Sequence, residues 1–146
     1  MKQKTRVLFL CTGNSCRSQM AEGWAKSLNL PDVEFYSAGI EAHGLNPNAI
    51  KVMQESGVDI SGHNSQLLSE FSDIEFDLVY AVCDNASKSC PSFNSKTQVI
   101  CHQFDDPPKL AKGLKDKTLV LDCYRRVRDQ IKNWIEELPQ QLITSH

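Results

Sequence analysis

The strongest constraint on the fold is the change of pattern between residues 7 and 28. The apolar run Val7-Leu8-Phe9-Leu10 is typical of a strand buried on both faces. The next eight residues, Cys11 to Ser18, are mostly small and polar and include one glycine, a composition that predicts a tight loop. From Gln19 to Leu28, apolar side chains recur every four residues, which predicts a helix. A strand, a loop and a helix in this order open a parallel α/β sheet.

The same alternation continues to the end of the chain. Further strands are predicted over Val33–Ser37, Phe76–Val82 and Thr97–Phe104, and further helices over Pro47–Ser56 and about Leu121–Leu138. A short helix is expected between residues 59 and 71, and a lysine-rich connector follows Asp105-Asp106-Pro107-Pro108. We therefore expect one α/β domain over residues 1–146, a four-stranded parallel sheet with helices on both faces.

The loop after the first strand has the residues of an oxyanion site. A helix N-terminus presents backbone N–H groups without partners and a partial positive charge, so a loop that leads into it can surround a tetrahedral anion. Gly13 and Asn14 tolerate the backbone angles that such a loop needs. Arg17 adds a planar fork that binds two oxygens at once.

Cys11 lies in the same positive field, which favours its thiolate. A thiol with a pKa of about 8.5 is ~3% ionised at pH 7, whereas one with a pKa of about 6 is ~90% ionised. The alternative is that Cys11 is a small core residue and Arg17 a surface charge, since buried cysteines are common. The full pattern, a cysteine, five residues and then Arg-Ser between strand and helix, favours the anion site.

Composition narrows the class of protein. The 146 residues are 40% hydrophobic and 23% charged, which is enough for a single buried core. A net charge of −2 without a basic block gives no support for binding to nucleic acid or to a membrane surface. The apolar run behind Lys2, Lys4 and Arg6 is too short for a signal peptide, and no stretch is long enough to span a membrane. We expect a cytoplasmic protein.

The six cysteines allow two interpretations. In a small secreted protein, residues 11, 16, 83, 90, 101 and 123 would suggest a disulfide framework. With an ample core and no export signal, reactive or buried thiols are favoured instead. No CxxC pair is present, and Cys101-His102 is a weak indication of zinc, so we expect no metal. Cys123 is expected in the core, and Cys101 is given a structural role.

Chemically useful residues follow three of the predicted strands. Cys11, Cys83 and the pair Asp105-Asp106 each come directly after a strand. In open α/β sheets, ligands bind beyond the carboxyl ends of the strands. Loops collect polar residues in any protein, but convergence on the edge that carries the anion loop favours a common site.

The segment Cys11 to Ser18, continued by Gln19-Met20-Ala21-Glu22-Gly23-Trp24, resembles the arsenate reductases built on the low-molecular-weight tyrosine phosphatase fold. Phosphatases of that fold share the motif C-x5-R-S, so the loop alone leaves both activities open. The resemblance implies a low-molecular-weight phosphatase-like architecture, the phosphotyrosine phosphatase I fold.

A second pair of cysteines separates the two activities. A phosphatase needs one cysteine, whereas a reductase must deliver two electrons, which two thiols supply when they form a disulfide. Cys83 and Cys90 resemble the second and third cysteines of the thioredoxin-coupled arsenate reductases. Phosphatases of the fold commonly have aromatic residues after Asp-Pro, where this chain has Pro108, Lys109 and Leu110.

The resemblance implies a role for each site residue. The oxyanion is bound by Thr12, Gly13, Asn14, Ser15, Cys16, Arg17 and Ser18, and the catalytic residues are Cys11, Arg17, Cys83, Cys90 and Asp106. Asp106 is the general acid, Ser18 donates to the Cys11 sulfur, and Cys16 shapes the loop. Disulfides Cys11–Cys83 and then Cys83–Cys90 form in turn, and thioredoxin reduces the second.

We therefore expect an arsenate-reducing enzyme of arsenic detoxification, a monomer with no bound cofactor, whose reducing equivalents come from thioredoxin. The alternative is a low-molecular-weight protein tyrosine phosphatase, and weak phosphatase activity is compatible with the first interpretation. A non-enzymatic oxyanion or redox sensor is the third. Some relatives bind potassium through positions that match Asn14, Glu22, Ser37 and an aspartate, but Gln66 replaces that aspartate here and removes its charge.

Overall fold

The computed structural model describes residues 4–13, 16–42, 44–82 and 96–144, and side chains as far as Leu138. Four strands form one parallel sheet in the order β2-β1-β3-β4. They are β1 (Thr5–Cys11), β2 (Val33–Gly39), β3 (Leu78–Ala81) and β4 (Gln98–Cys101). The predicted four-stranded parallel sheet is confirmed, although β3 and β4 are shorter than the predicted ranges Phe76–Val82 and Thr97–Phe104.

Helices follow β1, β2 and β4 in the described part of the chain. They are α1 (Arg17–Ser27), α2 (Pro47–Glu55), α3 (Pro107–Leu110) and α4 (Lys117–Thr144), with a 3₁₀ helix at Leu68–Phe71. The side chain of Asn46 accepts from the amides of Asn48 and Ala49 at the start of α2. Gly57, with φ of +85°, follows the end of this helix in the left-handed region that glycine tolerates.

Two helical segments differ from the sequence prediction. The connector after Asp106 contains the short helix α3, which starts at the prolines because a fixed φ suits a first helical turn. The last helix begins at Lys117 instead of about Leu121. Its start is set by the Asp116 side chain, which accepts from the amides of Thr118 and Leu119 at 2.7 and 3.3 Å, a helix cap.

The two faces of the sheet have different aromatic neighbours. On one face, Phe9 stacks on Phe35 and Tyr80 and meets the edge of Trp134 in α4. Alternate strand residues point to opposite faces, so Tyr36 lies on the other face, where it contacts Phe71 of the 3₁₀ helix. The sheet is thus covered on both sides, as predicted. In the described part of the chain, no helix is long and apolar enough to cross a membrane.

Candidate active site

Cys11 is the last residue of β1 and lies opposite Gly39 at the carboxyl edge of the sheet. Its side chain is buried, with 5% of the residue exposed. The backbone after β2 runs alongside it, because the amides of Ile40 and Glu41 donate to the carbonyls of Cys11 and Thr12 at 3.3 and 2.8 Å. The nucleophile candidate and the first loop residue are therefore fixed through their backbone.

The segment before the 3₁₀ helix is hydrogen-bonded to the loop. The hydroxyl of Ser65 donates to the carbonyl of Gly13 at 3.0 Å. The neighbouring residue, Gln66, accepts from the amide of Gly39 at 2.8 Å, which ties this segment to the edge of β2. Asn14 and Ser15, both predicted oxyanion ligands, lie outside the described residues.

Cys16 comes directly before α1, and its carbonyl accepts from the Met20 amide at 2.9 Å. Burial raises the pKa of its thiol to about 12, an effect that Arg17 opposes and Asp106 increases. Cys16 is therefore a neutral thiol at physiological pH and a poor nucleophile. Its burial fits the loop-shaping role that we expect for it.

Arg17 and Asp106 are brought together across the sheet edge. One Arg17 nitrogen, Nη1, donates to the carbonyl of Phe104 at 3.1 Å, and Nη2 lies 3.7 Å from Asp106 Oδ2. The Arg17 side chain is 13% exposed and that of Asp106 is 39% exposed. Asp106 makes no side-chain cap to α3, so its carboxylate faces the arginine. The predicted anion ligand and the predicted acid therefore lie side by side.

The first turns of α1 bury three polar side chains. Ser18 and Gln19 are 0% exposed, and Glu22 is 7% exposed. The amide nitrogen of Gln19 donates to the Asn64 carbonyl at 2.9 Å, and its oxygen lies 3.0 Å from His63 Nδ1. Buried polar groups are costly unless they are hydrogen-bonded, so these contacts lock the 63–66 segment onto the helix that carries Arg17.

Glu22 is the centre of a charged network under the loop. It accepts from the Ser37 hydroxyl and pairs with the Lys26 ammonium, while His63 Nδ1 lies 3.9 Å away. Burial lowers the pKa of His63, and the charge of Glu22 partly restores it. Glu22 and Ser37 match two of the potassium-binding positions of some relatives, but here a lysine neutralises the carboxylate. Among the described residues, no cluster of three or more His, Cys, Asp or Glu side chains is arranged to hold a metal ion.

The remaining cysteines divide into two groups. Cys83 and Cys90, the predicted redox pair, lie outside the described residues. Cys101 is exposed at the end of the edge strand β4. Cys123 is only half-buried on α4, so its expected place in the core is corrected, because the buried stripe of this helix passes through Tyr124 instead.

Sequence reasoning missed several groups that position the site. Tyr124 was expected on the buried face of the last helix, but its hydrogen bond was not: it is 3% exposed, its hydroxyl accepts from the side-chain amide of Asn46 at 3.1 Å, and burial raises its pKa. Gln19 and Ser65 were also missed. Gln19 directly precedes Met20, the first of the regularly spaced apolar residues of α1. This position could have predicted that its polar side chain is buried. The carbonyl of Phe104 is a backbone group and has no sequence signal.

Comparison with known proteins identifies the class. Residues 6–145 match the model of the low molecular weight phosphotyrosine protein phosphatase family, and the chain belongs to this family. This confirms the family resemblance and the fold.

The similar proteins include arsenate reductases and a tyrosine phosphatase. An arsenate reductase of Halalkalibacterium halodurans is 47% identical over 128 residues, covering 88% of this chain and 90% of that protein. The solved structure of an arsenate reductase in its oxidized state has a TM-score of 0.77 at 33% identity and covers 94% of this chain and 98% of that one. A low molecular weight protein tyrosine phosphatase from T. tengcongensis has a TM-score of 0.72 at 30% identity, with coverage of 94% and 99%.

Proposed function

We propose that this protein is an arsenate reductase that holds arsenate in the loop of residues 11–18. The observation that carries the proposal is the 47% identity to an arsenate reductase along nearly the whole of both chains. The geometry supports it, because Cys11 ends a strand at the edge where Arg17 and Asp106 lie 3.7 Å apart. Loop amides and the Arg17 fork would bind the arsenate oxygens.

The first chemical step is attack of the Cys11 thiolate on arsenic. A bond forms between Sγ and arsenic, and an arsenate oxygen leaves as water. Asp106 supplies the proton for this oxygen as general acid. Arg17 stabilises the negative charge on the remaining oxygens, where its fixed orientation costs no rearrangement during the reaction.

The second stage supplies two electrons. The Cys83 thiolate attacks the Cys11 sulfur, the electron pair of the sulfur–arsenic bond passes to arsenic, and arsenite leaves. Cys90 then attacks Cys83, which frees Cys11 and leaves the Cys83–Cys90 disulfide. Each arsenate thus consumes two thiols and yields one disulfide. This relay is proposed from the resemblance in sequence.

Thioredoxin is the proposed reductant of the Cys83–Cys90 disulfide. Its potential of about −270 mV lets it reduce the strained or exposed disulfides of redox proteins, whose potentials are higher than those of structural disulfides. Such a partner operates in the cytoplasm, where we also place this protein. We propose that this protein is a monomer with no resident cofactor.

The test is arsenate-dependent NADPH oxidation with thioredoxin and thioredoxin reductase, compared with glutaredoxin and glutathione. Turnover with thioredoxin alone supports both the reaction and the relay. Turnover with glutathione alone would keep the reaction and reject the proposed reductant. Absence of arsenite even in a single turnover would reject the reductase itself.

The relay has its own test. Cys90→Ser is expected to complete one turnover per enzyme and then stop, because the Cys11–Cys83 disulfide can no longer be exchanged. Cys123→Ser, which changes a half-buried thiol outside the relay, serves as the matched control and should retain full turnover. Undiminished steady-state activity of Cys90→Ser would exclude the relay.

Phosphatase activity is the second candidate. It is favoured by the family itself and by the tyrosine phosphatase structure at 30% identity. The same thiolate and anion loop would attack a phosphate monoester, and water would release the phosphoenzyme. Hydrolysis of p-nitrophenyl phosphate that survives in Cys83→Ser, together with no arsenite production by the unmodified protein, would make this the principal activity.

A further inference from the structure

The connector between β4 and the last helix combines exposed apolar and basic side chains. We call residues 109–119 the lysine–leucine stretch. Leu110, Leu114 and Leu119 are 39%, 40% and 51% exposed, and they are three of the five large apolar side chains that are exposed among the described residues. Scattered exposed leucines are ordinary, whereas clustered ones with a polar surround mark interaction surfaces.

Charge separates this stretch from the rest of the molecule. It contains four lysines and one aspartate, a net charge of +3. The whole chain has 16 basic and 18 acidic residues, so the remainder has 12 and 17, a net charge of −5. The lysines are Lys109, Lys112, Lys115 and Lys117, and all are exposed. The surface therefore complements a partner with carboxylates around an apolar patch.

The stretch is held in a defined conformation. Pro107, the first residue of α3, is buried, and the amide of Leu110 donates to the Asp106 carbonyl at 2.9 Å. Gly113, with φ of +87°, makes the turn that follows, and the Asp116 cap fixes the start of α4. A surface that is ordered before binding loses less conformational entropy when a partner docks.

The stretch also adjoins the candidate active site. It begins three residues after Asp106, whose carboxylate lies 3.7 Å from Arg17. β4 is the outer neighbour of β3 in the sheet, and beyond the two strands the amide of Phe104 donates to the carbonyl of Val82 at 3.2 Å. A protein that binds at this edge of the sheet would therefore lie close to the lysine–leucine stretch.

We propose that the lysine–leucine stretch is the docking surface for the protein that supplies electrons, a thioredoxin, and the charge and exposed leucines of the stretch require that the partner's contact face be apolar and rimmed by carboxylates. The inference rests on the proposed function, which requires a thiol protein to approach this edge. The leucines provide the apolar contact, and the lysines orient the encounter and accelerate it.

The test compares Lys109→Glu/Lys112→Glu with a control of equal charge change, Lys4→Glu/Lys51→Glu, whose lysines are exposed on other elements. The kcat/KM for thioredoxin is measured at saturating arsenate over a range of salt concentrations. The first variant is expected to lose about tenfold in this constant and most of its salt dependence, and the control to retain both. Leu114→Ser should lower the same constant without altering its salt dependence.

Single-turnover arsenite formation, which needs no thioredoxin, separates the possible failures. Normal first turnover with an unchanged kcat/KM for thioredoxin would overturn the docking surface and leave the proposed function intact. A loss in kcat/KM for arsenate instead would show that the lysines attract the oxyanion, which also overturns docking. A dimer of the unmodified protein that the variants dissociate, seen by ultracentrifugation, would make the stretch a self-association surface. Failure of the unmodified protein to form arsenite would remove the proposed function itself.

Discussion

The two sides of the candidate site are built in opposite ways. On the β1 side, the carbonyls of Cys11, Thr12 and Gly13 are each bonded by a neighbouring segment, and the polar residues under them are buried. On the β4 side, the strand has four residues at the sheet edge, and the lysine–leucine stretch beyond it faces solvent. The first side is suited to holding a small anion in one geometry, and the second to meeting a large partner.

The largest effect is expected where the two sides meet. Arg17→Ala removes the fork that spans the Phe104 carbonyl and Asp106, and we expect kcat/KM for arsenate to fall about 10³-fold, the cost of losing a strong oxyanion donor. Arg17→Lys keeps the charge but cannot make both contacts, so it should recover only part of this loss. Arg126→Lys, at an exposed position of α4, is the control. A loss below tenfold for Arg17→Ala would mean that the β1 side holds the anion without it.

Alanine substitutions at two glycines test the packing around α1, the helix that follows β1. A Cβ at Gly23 would lie 2.7 Å from Ile60 Cγ2 and 3.2 Å from Met53 Cε, so either α1 or the Ile60 side chain must shift. We expect Gly23→Ala to lower the free energy of unfolding by about 1–3 kcal/mol, less the gain in helix propensity. Gly62→Ala, where a Cβ meets nothing within 4 Å, should change it by less than about 0.5 kcal/mol. Equal urea midpoints for the two variants would contradict the tight packing.

The brace behind the loop has a smaller expected effect. Ser65→Ala deletes the hydrogen bond to the Gly13 carbonyl, which contributes about 1 kcal/mol. We therefore expect kcat/KM for arsenate to fall about fivefold, while kcat/KM for thioredoxin stays the same. Ser69→Ala changes an exposed serine of the 3₁₀ helix and should leave both constants unchanged. A parallel loss in both constants for Ser65→Ala would remove the functional separation of the two sides.

The smallest effect concerns pH. Burial lowers the pKa of His63 below its ordinary value, against the opposing charge of Glu22. Between the lowered native pKa and the ordinary value of about 6.5, His63 binds a proton more readily in the unfolded chain than in the native state. Stability therefore falls as pH drops through about 6.5. His63→Gln should reduce the decline in Tm between pH 7.5 and 5.5. His102→Gln, at a position where burial also lowers the pKa, shows the contribution of the β4 side. An identical decline in His63→Gln and the unmodified protein would contradict a native-state shift at His63.

Local signals explain why much of the fold was predictable. The apolar run at residues 7–10 lies within β1 because consecutive apolar residues favour a strand covered on both faces. Asn46 and Gly57 bound α2 through their own backbone and side-chain chemistry. The start of α4 was predicted too late because Lys117, Thr118 and Leu119, which follow the cap at Asp116, are exposed and add nothing to the buried stripe of the helix.

The site was predictable only where a motif encodes it. The pattern from Cys11 to Arg17 locates the loop, but the groups that hold the loop come from distant parts of the chain. Ser65 reaches Gly13, and Phe104 holds Arg17 through a carbonyl that every residue has. Such contacts depend on strand order and on the exact path of the backbone, which a single sequence does not specify.

The contact between Phe104 and Trp134 connects Arg17 to a fluorescent side chain. Phe104 binds Arg17 through its carbonyl, while its ring lies 5.3 Å from Trp134, which also stacks on His102 at 4.9 Å. We expect an oxyanion that draws the arginine away from this carbonyl to shift the Phe104 ring relative to the indole. Emission of Trp134, observed in a variant in which Trp24 is replaced, would therefore follow occupancy of the loop by an unreactive anion, without turnover and without a label.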